Sequence, residues 1–103
     1  MAQVIWTAVA LEEVDEIAEH IAQDNPEAAA RVANRLFDAS ERLQATPEMG
    51  TRFKKFGRQD TWQLIVDRNY RLIYRYRGGQ VDILAAFHTS RLLSNAWKSK
   101  LRE

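Results

Sequence analysis

The sequence predicts an α+β domain: an N-terminal strand and an antiparallel helical hairpin packed on one face of a twisted antiparallel sheet, with a short C-terminal helix after it. Three features carry the prediction. Apolar residues recur every three or four positions from Ala8 to Ala45, with one interruption at Asn25-Pro26. Between Thr61 and His88 the period drops to two, and Gly78-Gly79 divides that stretch as a tight turn. Pro47 and Gly50 separate the two regimes, because neither residue continues a helix without cost.

Val4, Ile5 and Trp6 form a short β-prone run, and Thr7 after them is placed to cap a helix with its hydroxyl. From Ala8 to about Asp24 the apolar stripe is Leu11, Val14, Ile17, Ala18 and Ile21; Glu12, Glu13, Asp15, Glu16 and Glu19 are expected on an acidic outer face. Asn25-Pro26 reads as an N-cap followed by proline at the first helical position, where its missing amide costs nothing. The second helix continues through Ala29, Val32, Ala33, Leu36, Ser40 and Leu43 to about Ala45, and the short connection predicts antiparallel packing. A loop follows from Thr46 to Arg58, basic in its second half, with Phe53 and Phe56 spaced to anchor it on the core.

The register of the last strands follows from the glycine pair. A two-residue turn needs positive φ at both positions, which glycine takes freely, so Arg77 faces Gln80 and Arg75 faces Asp82. Strict alternation then pairs Tyr70 with Phe87. One face receives Tyr70, Leu72, Tyr74, Tyr76, Val81, Ile83, Ala85 and Phe87; the other receives Arg71, Arg75, Arg77, Asp82 and His88. The preceding strand, Thr61 to Val66, puts Trp62, Leu64 and Val66 on the apolar face only if its connection is odd in length, such as Asp67-Arg68-Asn69. After Ser90 a helix is expected with Leu93, Trp97 and Leu101 spaced by four, either as core or as a groove for a partner.

The 103 residues suit a single domain, 1–103, with one core. The absence of cysteine removes disulfides, zinc–thiolate sites and a cysteine nucleophile, and suits the cytoplasm. There is no signal-like start and no apolar run long enough for a bilayer, so no membrane role is expected. Phosphate loops, His-Glu-x-x-His and nucleophile elbows are missing, so no cofactor or metal is implied. Charge is distributed unevenly: residues 1–50 hold 3 basic and 10 acidic side chains, residues 51–103 hold 12 and 4. The split suggests a basic face for phosphate or an acidic partner, although mutual neutralisation of the halves would produce the same count.

Arg71, Arg75 and Arg77 alternate on one strand, and the register sets His88 near Arg71, which makes a cationic patch with one titratable base. An RNA phosphodiester reaction needs a base, a charge-stabilising cation and an acid; His88, Arg71 and a loop lysine could supply them, and solvated charges on a polar sheet face would look the same. His20 reads as a surface residue among helix-one carboxylates.

Several motifs in order resemble the ParE/RelE toxin superfamily along nearly the entire chain. They are Val4-Ile5-Trp6-Thr7 with Ala10-Leu11-Glu12-Glu13 and Ile17, then Asp24-Asn25-Pro26-Glu27-Ala28-Ala29, then Pro47-Glu48-Met49-Gly50. Arg68-Asn69-Tyr70-Arg71-Leu72-Ile73-Tyr74-Arg75 and Val81-Asp82-Ile83-Leu84 with Phe87-His88-Thr89-Ser90-Arg91 complete the set. The resemblance implies a type II toxin held inactive in a hetero-oligomer by a cognate antitoxin. ParE-like members act on DNA gyrase, whereas RelE-like members cut mRNA on the ribosome, commonly with a tyrosine or histidine near the C-terminus. No tyrosine follows Tyr76 here, which favours the gyrase branch; an mRNA endonuclease using His88 and Arg71, or a non-toxic binding module, is the alternative. The candidate partner- or phosphate-binding residues are Arg52, Lys54, Lys55, Arg68, Arg71, Arg75, Arg77, His88 and Arg91.

Overall fold

The computed structural model describes residues 1–53 and 60–89. In it, β1 (Gln3–Trp6), α1 (Ala8–Ala22), α2 (Pro26–Arg42), β2 (Thr51–Arg52), β3 (Thr61–Val66), β4 (Tyr70–Arg77) and β5 (Gln80–His88) build a five-stranded sheet of order β1-β5-β4-β3-β2. The helices cover one face of it. The expected C-terminal helix, with Leu93, Trp97 and Leu101, lies outside the described residues, as do Lys54, Lys55 and Arg91. Among the described residues no helix is long and apolar enough to cross a membrane.

Both helices start where the sequence places their caps. The Thr7 hydroxyl accepts from Ala10 N at 3.2 Å, and Asn25 Oδ1 accepts from Ala28 N at 3.1 Å ahead of Pro26. The core between helices and sheet gathers Ala10, Val14, Leu36, Ala39 and Leu43 against Val66, Leu72, Tyr74, Val81, Ile83 and Ala86. Burial of each leucine there contributes about 2 kcal/mol relative to leaving it in water. Ser40 is the polar member of the seam: it receives Trp6 Nε1 at 3.1 Å and donates to the Phe37 carbonyl at 2.7 Å.

The sheet is mixed. β1 runs parallel to β5, Gln3 beside Gln80 and Trp6 beside Ile83, and forms the edge. On the opposite edge the stretch read as loop, Thr46 to Arg58, contains the two-residue β2, Thr51 paired with Gln63. Phe53 follows it into a buried position, as expected of an anchor.

Gly78 and Gly79 have φ of 60° and 75°, and Arg77 pairs with Gln80 as the turn requires. The connection from β3 to β4 is the odd one, with Val66 paired to Tyr70 across Asp67-Arg68-Asn69. Its tip is strained, because Asp67 and Arg68 hold φ of 54° and 64°, where a Cβ is disfavoured. Asp67 is secured by an ion pair with Arg35 of α2. Arg68→Gly is therefore expected to raise stability by about 0.5–1 kcal/mol in urea unfolding, the relief of strain exceeding the added freedom of the unfolded chain.

The register of β4 and β5 departs from strict alternation in one place. It holds from Arg77–Gln80 through Tyr74–Ile83; then Ile73 pairs with Ala85, Leu72 with Ala86, Arg71 with Phe87 and Tyr70 with His88. Leu84 is the extra residue of a β-bulge. A bulge reverses which face the following residues occupy, so the expected placement of Ala85, Phe87 and His88 is corrected. Ala85 and Phe87 join Ile73 and Phe53 in a second apolar cluster on the sheet face away from α1 and α2. His88 turns to the helix side.

Candidate partner-binding surface

The bulge divides the predicted cationic patch. Arg71, Arg75 and Arg77 project from the second face, but His88 lies across the sheet beside Tyr70, the two rings edge to face with centroids 5.3 Å apart. The expected proximity of His88 to Arg71 is thus overturned. Arg52 also leaves the patch, since it pairs with Trp62 and sets its guanidinium 4.7 Å over that indole, on the helix side. Arg68 stands at the tip of the β3–β4 turn.

The three arginines of β4 differ in what holds them. Arg75 is bound to Asp82 at 3.0 Å, the ion pair foreseen from the turn, and Gln80 donates to the other carboxylate oxygen at 2.8 Å. Arg77 stands 3.8 Å from Asp60 and is largely exposed. Arg71 donates to the neutral Oε1 of Gln63 at 3.0 Å, and among the described residues no carboxylate pairs with it. Its Nε is buried and has no partner among those residues. Among the described residues of the second face, Arg71 is therefore a cation without a carboxylate beside it, flanked across the strands by Ile65 and Phe87.

On the helix side, α1 and the ends of β4 and β5 enclose a groove of about 340 Å³ lined by Glu13, Glu16, Ile17, His20, Ile21, Tyr70, Ala86 and His88. Sequence reasoning put Glu13 on the outer helix face. It is 4 % exposed, and its carboxylate accepts from Ala86 N at 3.2 Å. Its neighbour Leu11, expected inside, is exposed instead. The reason lies in β1, which stops pairing at Ile83 and, among the described residues, leaves the rest of that β5 edge without a strand. Thr7 takes the Ile83 carbonyl and Glu13 takes the Ala86 amide, so both serve the backbone. The available signal was spacing: Glu13 falls between Ala10 and Ile17 on the face that also holds Val14. Among the described residues no group of His, Asp or Glu could hold a metal ion.

Two tyrosines have raised pKa values. Burial raises that of Tyr74, Glu48 adds to the effect, and the hydrogen bond with the Gly50 amide opposes it. Burial, then the charge of Asp67, raises that of Tyr70. A proton held more tightly in the folded state means that stability falls as pH rises through the ordinary tyrosine range toward the raised folded value. Unfolding midpoints should decline above about pH 10, less steeply in Tyr74→Phe.

A family profile described as "ParE toxin of type II toxin-antitoxin system, parDE" matches residues 4–93. The chain belongs to the ParE toxin family. Within the ParE/RelE superfamily it is 36% identical over 92 residues to Toxin RelE2 of Caulobacter vibrioides, covering 89% of this chain and 100% of that one. It is 38% identical over 85 residues to the putative toxin Y4kP of Sinorhizobium fredii, covering 81% and 83%. A solved structure titled "Chromosomal ParDE TA system from P. aeruginosa" superposes with a TM-score of 0.71 at 21% identity, over 85% of this chain and 96% of that one, and shows that the fold is shared. A ParE/RelE toxin is thus the coarse identity of the chain, a type II toxin with two helices on a mixed sheet.

Proposed function

We propose that residues 1–103 act as one growth-inhibiting toxin domain that binds DNA gyrase through the arginine face of β4 and is neutralised by a cognate antitoxin in a hetero-oligomer. What supports gyrase binding over RNA cleavage is the separation of Arg71 from His88 by the thickness of the sheet. A cation that steadies a phosphate and a base that takes its proton must reach the same atoms, and these two groups open on opposite faces. Arg71 is left as a binding group, with Arg77 and Arg68 as flanking cations. Membership of the family and the likeness to the chromosomal ParDE TA system of P. aeruginosa support an antitoxin partner.

The test is a gyrase assay with purified protein. Supercoiling should be inhibited and cleaved-DNA complexes should accumulate. Arg71→Glu should weaken inhibition by about tenfold or more, as expected when a central cation is reversed, and His88→Ala should leave it nearly unchanged. Translation-dependent mRNA cleavage that requires His88 and Arg71, with gyrase unaffected, would overturn the assignment in favour of an endonuclease.

A further inference from the structure

The outer side of β1 is an open edge. Gln3 N donates to the Gly79 carbonyl at 2.9 Å and Thr7 N to the Ile83 carbonyl at 3.1 Å, so odd-numbered residues of β1 aim their backbone groups at β5 and even-numbered ones aim theirs outward. Ala2 N meets the Gln44 carbonyl at 2.8 Å, just past the end of α2. Among the described residues the backbone N–H and C=O of Val4 and of Trp6 reach the edge without a partner.

The side chains of the strand suit a neighbour. Val4 and Trp6 pack on the core, whereas Ile5 is 38% exposed on the second face, beside Asp82. Met1 before the strand and Leu11 one helical turn after it are exposed as well. Gln3-Val4-Ile5-Trp6 contains neither a charge nor a proline, the usual means by which an open edge repels another strand.

We propose that β1 pairs with β1 of a second copy of the chain, antiparallel about a two-fold axis at Ile5, so that two sheets become one. The free backbone groups select that register. An axis at Val4 would set Trp6 against Ala2 of the other copy, whose amide is already held by Gln44. An axis at Trp6 would set Val4 against Ala8, where α1 begins. Only the axis at Ile5 places each Val4 opposite a Trp6, and the two exchange both bonds, which uses every outward group of the strand in both copies. The two Ile5 side chains then face each other in the closer, non-hydrogen-bonded kind of pair, and each Val4 meets an indole on the helix side. A second copy supplies this pattern from the same four residues, with no charge opposed to another. The axis stands perpendicular to the sheet, so the arginine faces of the two copies look the same way and form one doubled cationic surface. The pairing depends on neither the gyrase target nor the antitoxin.

The experiment uses the full chain, with sedimentation equilibrium for association and amide exchange at single residues. Exchange at Val4 and Trp6 should slow as concentration rises, while Ile5, whose amide faces β5, should be unchanged. Ile5→Lys and Ile5→Glu should each weaken association by about tenfold or more, since like charges then stand opposite, and mixing the two variants should restore it. Val4→Pro removes an amide that the single chain leaves unpaired, and it should weaken association too. Ile65→Lys, exposed on the other side of the sheet, should associate as the parent does. A chain that remains monomeric at about 1 mM overturns the proposal. So does a dimer indifferent to Ile5→Lys and Val4→Pro, or one lost in Ile65→Lys, which gives the interface to β3. A dimer weakened in Ile5→Lys but not restored by mixing places the axis away from Ile5 and overturns it as well.

Discussion

Gly50→Ala is expected to destabilise the fold by about 3 kcal/mol, at the upper end for overpacking of a single carbon. A Cβ at that position would stand 2.2 Å from the Gln63 carbonyl oxygen, 3.0 Å from its carbon and 2.9 Å from the Tyr74 hydroxyl. The first two are backbone atoms of a paired strand and cannot swing aside. Relief therefore requires β2 to separate from β3, which also breaks the Gly50 N–Tyr74 hydroxyl bond and endangers the one from that hydroxyl to the Pro47 carbonyl. Thermal unfolding should show a Tm lower by about 15 °C. A near-normal Tm would mean that the turn at Pro47–Gly50 is looser than its hydrogen bonds imply.

The second large effect is expected at Asp82. Removing it as Asp82→Ala leaves the Arg75 guanidinium, 22% exposed, without its carboxylate and with its Nε already lacking a partner among the described residues. Loss of one member of a largely buried pair should cost about 2–4 kcal/mol, less than the fully buried case because Arg75 retains some contact with water. Replacing both, as Arg75→Met with Asp82→Leu, should recover most of that, since a matched apolar pair leaves no stranded charge. Denaturant midpoints of the single and double variants decide the matter. If the double variant is as unstable as Asp82→Ala, the pair contributes more than mutual neutralisation.

Much of the fold was legible because local chemistry marked it. Thr7, Asn25-Pro26 and Gly78-Gly79 each have a backbone reason to stand where they do, and the caps and the hairpin followed from them. The failure at Leu84 has an equally local cause. Ile83-Leu84-Ala85-Ala86-Phe87 is apolar throughout, so no polar residue betrays the change of phase that the bulge introduces. His88, read by counting through that run, landed on the wrong face. Glu13 was misplaced because binary patterning sorts residues by polarity, whereas its position answers an unpaired amide about 70 residues away. The parallel pairing of β1 was also beyond pattern reading, for it depends on which edge the two helices return the chain to.

That pairing has a consequence for how the toxin comes into being. β5 follows β1 by more than 70 residues, yet among the described residues Gln3–Trp6 has no strand neighbour except Gln80–Ile83. Contacts this distant in the chain are slow to close, and during synthesis they wait for the later segment to leave the ribosome. The nascent chain can form its helical hairpin early but cannot complete the sheet. Its arginine face, carried on β4, is thus assembled only once β5 has followed it, so the helical hairpin precedes the charged surface in folding.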